Sequence, residues 1–130
     1  MDRPVVNYIS GHLDLTPAEF DTHYRPALDA ALARGDSFVI GDARGADALA
    51  QKYLSGKTIA VVVYHMFNRP RNNAGFPTIG GFTSDDERDA RMTRNSNNDI
   101  AWVRPGREKS GTQRNLDRRL RLSAGESVAD

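Results

Sequence analysis

The run Thr58–Tyr64 (TIAVVVY) restricts the fold of this chain more than any other feature, because it is almost continuously apolar over the length of one β-strand. A strand that is apolar on both faces is typical of a parallel sheet covered by helices on both sides. Three further stretches have the β-branched and aromatic composition of short strands, namely Pro4–Ser10, Ser37–Ile40 and Asp99–Val103. The sequence therefore predicts four strands of one mostly parallel sheet.

Helix-start signals lie between these strands. Thr16–Glu19 combines a capping-box threonine and glutamate with proline at the first helical position. Pro26 lies inside the helix that follows and predicts a kink, or two helical pieces that meet there, because proline removes a backbone hydrogen bond. Three more helices are predicted, over Ala46–Leu54, Ser84–Asn95 and Gly111–Leu122.

This alternation predicts an α/β protein with a Rossmann-like, open and mostly parallel sheet and helices on both faces. The chain has 130 residues, the size of one domain, which we expect over residues 1–122 with a flexible C-terminal tail over 123–130. The segment His65–Thr83 contains two prolines, three glycines and three asparagines, and we expect it to be one long functional or mobile loop.

Composition excludes several classes of function. The chain has no cysteine, and therefore no disulfide, thiolate zinc site, iron–sulfur cluster or cysteine nucleophile. The longest apolar run, Ile59–Tyr64, is too short to span a membrane, and the N-terminus lacks a signal-peptide pattern, so we expect a cytoplasmic protein without a membrane partner. A formal net charge of +1 disfavours nucleic acid as a partner. Arg104–Arg121, however, contains seven basic and two acidic residues, which favours a small anionic ligand near that segment.

Sites in open parallel sheets lie at the carboxyl ends of the strands, and small or polar residues follow three of the predicted strands. The turn Gly41–Asp47 (GDARGAD) opens a helix, where backbone amides, the helix dipole and an arginine can hold a phosphate. Ser110–Thr112 repeats this arrangement at the last helix, and each turn also has a purely structural explanation as a helix cap or glycine turn. The candidate nucleotide-binding residues at strand ends and turns are Ser10, Gly11, His12, Gly41, Asp42, Arg44, Gly45, Asp47, His65, Ser110, Gly111 and Thr112.

The histidines are candidates for further chemistry. His12 and His65 both follow predicted strands and can share one pocket, whereas His23 lies on a helix and is expected at the surface or in packing. No His-x-x-x-His pair or carboxylate cluster at metal-ligand spacing accompanies them. We therefore expect neither a metal site nor a cofactor.

Asp85, Asp86 and Glu87 are the candidate catalytic residues, because a carboxylate can act as a general acid or as a nucleophile. Their position in a first helical turn also has an ordinary explanation. Acidic side chains there complement the helix dipole, and Glu87 completes a capping box with Ser84. Arg88, on the same helix, is a candidate nucleotide contact or part of a basic face in solvent.

Four short motifs occur in a characteristic order: Gly41–Ala50 (GDARGADALA), Glu87–Met92 (ERDARM), Asp99–Trp102 (DIAW) and Ser110–Thr112 (SGT). Together they resemble the SLOG superfamily and, within it, the YspA (YpsA-related) group, over most of residues 5–120. The resemblance implies a Rossmann-like domain that binds a nucleotide or a nucleotide-derived ligand, often as a homodimer. Relatives include LOG-type nucleoside monophosphate phosphoribohydrolases, DNA-processing proteins of the DprA kind and molybdenum-cofactor carriers.

The resemblance also implies roles for residues. The phosphate would meet Gly41–Gly45 and Ser110–Thr112, Ser10 and Gly11 would line the sugar, and Arg88 and Met92 match the arginine and methionine of the LOG-type helix. The chain departs from the LOG-type pattern after the glycine–threonine turn, where Gln113, Arg114 and Asn115 stand in place of a catalytic glutamate.

Three functions are compatible with these observations. The first is a nucleotide-binding protein, or an N-glycosidic hydrolase of nucleotides in which Asp85, Asp86 or Glu87 supplies the missing carboxylate charge. The second is a non-catalytic module that senses or sequesters a nucleotide signal, which the missing glutamate favours over the hydrolase. The third is a single-stranded nucleic-acid-binding protein of the DprA kind, which the near-neutral net charge disfavours.

Overall fold

A computed structural model describes residues 4–125 and contains one five-stranded, all-parallel sheet. Its strands are β1 (Val6–Ile9), β2 (Ser37–Gly41), β3 (Val61–Met66), β4 (Thr78–Phe82) and β5 (Asn98–Ile100). Across the sheet they follow the order β4-β3-β2-β1-β5. The first four strands are added in one direction and β5 is added on the other side of β1, so the topological switch point lies between β1 and β5.

Helices cover both faces of the sheet, so the predicted fold class is confirmed. One apolar cluster, which includes Ile9, Phe38 and Val63, lies on the sheet face that the first three helices cover. A second cluster, which includes Tyr8 and Val39, lies on the opposite face under the fourth helix, and the fifth helix packs beside the fourth. Within residues 4–125, no helix has the length and apolar character that crossing a bilayer requires. The helices are α1 (Pro17–His23), α2 (Arg25–Arg34), α3 (Ala46–Leu54), α4 (Asp85–Arg94) and α5 (Gly111–Ser123).

The predicted break near Pro26 is confirmed, because α1 and α2 are separate helices that meet at Tyr24. Pro26 lies in the first turn of α2, where its missing N–H costs no helical hydrogen bond. Tyr24 is fully buried, and its hydroxyl donates to the Ser10 carbonyl oxygen at 2.7 Å and accepts from the Trp102 amide at 3.1 Å. The junction of the two helices therefore fixes the chain that leaves β1.

The prediction of one long loop over His65–Thr83 is wrong for Thr78–Phe82, which forms the edge strand β4. The strand was not predicted because it contains Gly80 and Gly81, and glycine has a low strand propensity. The structure shows why position 80 is glycine: a Cβ there would lie 2.1 Å from Cε1 of the buried His65 ring. Ile79 is 43% exposed, as expected for an edge strand. The strand therefore lacks the continuous run of apolar residues that is typical of a central strand.

The last strand and helix differ slightly from their predicted bounds. The strand predicted over Asp99–Val103 ends at Ile100, because the Trp102 amide donates to the Tyr24 hydroxyl and not to a neighbouring strand. α5 extends to Ser123, one residue into the predicted tail, whereas residues 126–130 of that tail lie outside the described residues.

Polar and charged side chains pack α5 against the rest of the domain. Its buried residues, Thr112, Asn115 and Arg118, are all polar. Arg119 donates to the Thr93 and Ser96 carbonyl oxygens at 3.0 and 2.8 Å and forms a 3.1 Å ion pair with Asp99. Carbonyls at a helix C-terminus attract cations, so this arginine ties the end of α4 to α5 and β5. The first turn of α5 is thereby held beside the ends of the strands.

Candidate functional site

A cavity of about 320 Å³ lies at the carboxyl ends of β1 and β2, between the first turns of α4 and α5. Its lining includes the segment after β1 and residues that follow β5, so it borders the topological switch point, where parallel-sheet topology predicts a ligand. Four segments that sequence reasoning had selected meet there: the end of β1, the turn after β2, the start of α4 and the start of α5.

Ser10, Gly11 and His12 line the cavity from the end of β1. A Cβ on Gly11 would lie 2.3 Å from the Tyr24 hydroxyl, so close packing excludes a side chain at this position. The buried His12 ring accepts a hydrogen bond at Nε2 from the Arg104 amide at 2.9 Å, which places its proton on Nδ1. Burial, then the charges of Arg107 and Arg104, lower the pKa of His12. His12 is therefore neutral and holds the loop that leads to α5.

The turn after β2 offers less to a phosphate than its sequence predicts. Gly41 and Asp47 line the cavity, whereas Asp42, Arg44 and Gly45 are not among its lining residues, and Arg44 is exposed. Two amides of this turn are already satisfied by the protein. The Ala43 amide donates to Asp47 Oδ2 at 3.1 Å, and the Ala46 amide donates to the His12 carbonyl oxygen at 3.1 Å.

Arg88 joins three carboxylates beneath the cavity. It donates to Asp42 Oδ1 at 2.8 Å and to Asp89 Oδ1 at 3.0 Å, and lies 3.4 Å from Asp85 Oδ1. Asp42 also accepts from the backbone and guanidinium of Arg71, at 2.7 to 3.2 Å. Burial alone would raise the pKa of Asp42, but the hydrogen bonds from Arg71 and the charge of Arg88 outweigh it and lower that pKa. Asp42 therefore anchors the loop that carries Arg71.

Asp47 and Asp89 behave differently from Asp42. Burial raises the pKa of Asp47 to about 7, against the opposing effects of Arg88 and the Ala43 amide. Burial also raises the pKa of Asp89, although Arg88 opposes it. The cavity therefore contains a carboxyl group that exchanges its proton near neutral pH.

The structure separates the three candidate catalytic carboxylates. Asp85 and Asp86 line the cavity, and Asp86 forms a 3.2 Å ion pair with Arg118. Glu87 is not a lining residue, and its Oε2 accepts from the Thr83 hydroxyl at 2.9 Å. Its amide donates to Ser84 Oγ at 3.1 Å, which is half of the predicted capping box.

The start of α5 presents backbone amides to the cavity. Ser110 Oγ caps the helix by accepting from the Gln113 amide at 3.2 Å. Within residues 4–125, the amides of Gly111 and Thr112 have no hydrogen-bond acceptor. Arg107 and Arg114 line the same end of the cavity, and Arg107 also pairs with Asp14 at 3.0 Å. All three predicted residues of this turn, Ser110, Gly111 and Thr112, are lining residues.

His12 and His65 do not share this pocket. His65 is buried against Gly80, with Nδ1 3.0 Å from the Met66 carbonyl oxygen, and it is not a lining residue. His23 is exposed and stacks on Trp102 at 3.9 Å between ring centroids, as expected for a surface or packing residue.

Sequence reasoning missed Tyr8, Arg71 and Asp89 as lining residues. Arg71 comes from a loop without a recognisable motif. Tyr8 lies in a stretch whose composition predicted only a strand, and which face of the sheet its side chain occupies was not predicted. Asp89 lies within the ERDARM motif, next to Arg88, and helical spacing from Asp85 and Asp86 is the signal that could have identified it.

Comparison of the chain with protein-family models, with curated proteins and with solved structures found no match. The resemblance to the SLOG superfamily therefore stays a prediction that rests on the four motifs.

Proposed function

We propose that this protein binds a nucleoside monophosphate, or a derivative of one, in the cavity at the ends of β1 and β2. The observation that carries the proposal is the polarity of the cavity. The start of α5 presents amides without an acceptor among residues 4–125 and two arginines, whereas β1 presents small residues and α4 presents carboxylates that pair with Arg71 and Arg88. A phosphate ester of a polyhydroxylated sugar has the complementary arrangement of charge and hydrogen-bonding groups.

The phosphate end is the first turn of α5. The amides of Gly111 and Thr112 point along the helix dipole, which favours an anion at this position. Arg114 adds a cation, since its Nη2 would lie 3.4 Å from a Cβ on Gly111. The start of α3 is the weaker candidate, because its own Asp47 and the His12 carbonyl oxygen occupy amides there.

The nucleoside end lies between β1 and α4. Ser10 and Gly11 leave room for a sugar, and Asp85 presents a carboxylate that can accept from ribose hydroxyls. Tyr8 and Met92, each 1% exposed, belong to the apolar core that lies directly beneath this end of the cavity. A volume of about 320 Å³ is at the lower end of the usual range for small-molecule sites, which suits a mononucleotide better than a dinucleotide.

Calorimetric titration with nucleoside monophosphates and with their matched nucleosides tests the proposal. We expect at least one monophosphate to bind more tightly than its nucleoside, because only the monophosphate reaches the first turn of α5. Equal affinity for both members of every pair, or no heat from any of them, would contradict it.

Replacing one arginine at each of the two helix starts by alanine shows which helix start binds the phosphate. We expect Arg114→Ala to weaken binding of the monophosphate by about 10-fold to 100-fold, the effect of losing a charged hydrogen bond, and to leave the nucleoside affinity unchanged. Arg44→Ala is the matched substitution at α3, and we expect a change of less than about threefold. The reverse ranking in the same titrations would move the phosphate to the Gly41–Gly45 turn.

N-glycosidic hydrolysis is the second candidate function. It is favoured by Asp85 and Asp86, which line the nucleoside end and can stabilise positive charge at the anomeric carbon. Incubation with nucleoside monophosphates, followed by chromatography of free base, tests this activity. Release that Asp85→Asn abolishes supports hydrolysis, whereas binding without release supports the module that senses or sequesters a nucleotide.

The resemblance to the SLOG superfamily further supports a homodimer in the cytoplasm. Light scattering during size-exclusion chromatography gives the molar mass in solution. A mass near twice 14.4 kDa supports the homodimer, and a mass near 14.4 kDa contradicts it.

A further inference from the structure

Asp47 is the most deeply buried carboxyl group among the acidic lining residues, with 7% of its surface exposed. Its Oδ2 accepts one hydrogen bond, from the Ala43 amide at 3.1 Å. Gly41 packs against the same oxygen, since a Cβ there would lie 2.6 Å from it. Oδ1 has no hydrogen bond among residues 4–125, and it is the atom left to meet a ligand in the cavity.

Burial is the main effect that disfavours a negative charge on Asp47, and the charged groups around it act in both directions. α4 presents Arg88 and Asp89, the end of β2 presents Asp42, and Tyr8 of β1 and Tyr24 lie close enough to interact with its charge. The one cation in this set, Arg88, already donates to Asp42 and Asp89. The charge of Arg88 lowers the pKa of Asp47 but does not offset its burial, so the carboxyl is expected to retain its proton up to about neutral pH.

We propose that Asp47 binds the nucleotide in its protonated form, with Oδ1–H donating a hydrogen bond to an acceptor atom of the nucleoside. This inference deepens the proposed function and rests on it. A phosphate dianion in the same cavity makes ionised Asp47 still less favourable, so above neutral pH the complex forms with uptake of one proton. The raised pKa of the free carboxyl, about 7, agrees with this role.

The affinity for adenosine 5′-monophosphate between pH 7 and pH 9 tests the inference. The second phosphate pKa is about 6, so the phosphate charge is nearly constant over this range. We expect the wild-type affinity to fall with a slope that approaches about tenfold per pH unit, because each bound nucleotide takes up one proton. We expect Asp47→Asn to bind with nearly constant affinity, because its amide donates a hydrogen bond at every pH. Asp21→Asn, a matched change on the exposed surface of α1, is the control and should retain the wild-type slope.

Unfolding without ligand gives a second, independent readout. The unfolded carboxyl ionises near its ordinary pKa of 3.8, whereas the folded one keeps its proton until about pH 7. The stability that the protonated Asp47 contributes is therefore lost as the pH rises between these values. We expect the melting temperature of Asp47→Asn, relative to that of the wild type, to rise from pH 4 to pH 7 and then to level off. A constant difference would mean that Asp47 is ionised in the free protein, which overturns the inference.

The outcomes separate this inference from the function on which it rests. Binding with a pH-independent wild-type affinity overturns the role of Asp47 and leaves nucleotide binding intact. A pH slope that Asp47→Asn retains assigns the proton to another group, and also overturns it. If adenosine 5′-monophosphate binds at no pH to the folded protein, the proposed function fails for this nucleotide and the inference fails with it.

Discussion

Replacing Gly45 by alanine is expected to destabilise the domain by about 2–6 kcal/mol, from backbone strain and overpacking together. Gly45 has φ +73° and ψ −124°, a conformation that residues with a Cβ rarely adopt. A Cβ would also lie 2.4 Å from the carbonyl oxygens of His12 and Leu13, which are backbone atoms and cannot rotate away. Chemical denaturation of both proteins measures the difference in the free energy of unfolding.

Gly35→Ala is the matched control, because Gly35 also has a positive φ, +77°, but no atom lies within 4 Å of its Cβ position. We expect only the cost of a left-handed alanine, about 1–2 kcal/mol. Equal losses in the two variants would contradict the close contact between α3 and the end of β1.

Replacing Arg88 by methionine is expected to cost about 3–5 kcal/mol of folding stability, the usual effect of removing one partner from a buried ion pair. The stem of the side chain is kept, so the loss comes from charge and hydrogen bonds. Asp42 and Asp89 would each lose a donor while remaining buried or largely buried. Asp85 would also lose its contact with Arg88, which is the only buried cation near this carboxylate among residues 4–125.

Arg25→Met removes an arginine from an exposed pair with Asp21, 3.5 Å apart, and provides the matched comparison. We expect it to change the free energy of unfolding by less than about 1 kcal/mol, because solvent screens exposed ion pairs. If the two substitutions cost the same, the Arg88 cluster is not a buried network.

Local signals predicted most of the fold. Pro26 and the Thr16–Glu19 capping box gave the break and the start of the first helices, because both act through backbone hydrogen bonds a few residues away. β4 escaped prediction because its pairing with β3 compensates for two glycines, and such pairing is not visible in local composition. The docking of α5 through Arg119 depends on carbonyls more than 20 residues earlier, and charge patterning gave no sign of it.

The site was predictable to the level of its turns but not of its charges. The rule that ligands bind at the strand ends brought Ser10, Gly41 and Gly111 correctly to one cavity. The sequence could not show that Asp42 pairs with Arg71, which is 29 residues away, or that burial raises the pKa of Asp47. These properties depend on desolvation and on long-range pairing, which a linear motif does not encode.

The most direct test of nucleotide binding in the cavity is an NMR titration of ¹⁵N-labelled protein with adenosine 5′-monophosphate and, separately, with adenosine. We expect the monophosphate to shift the amide resonances of Gly111 and Thr112 together with those of Ser10 and Gly11. Adenosine is expected to shift only the second pair. If saturating monophosphate leaves the Gly111 and Thr112 amides unmoved, the first turn of α5 does not bind the phosphate and the proposed function is wrong in its central point.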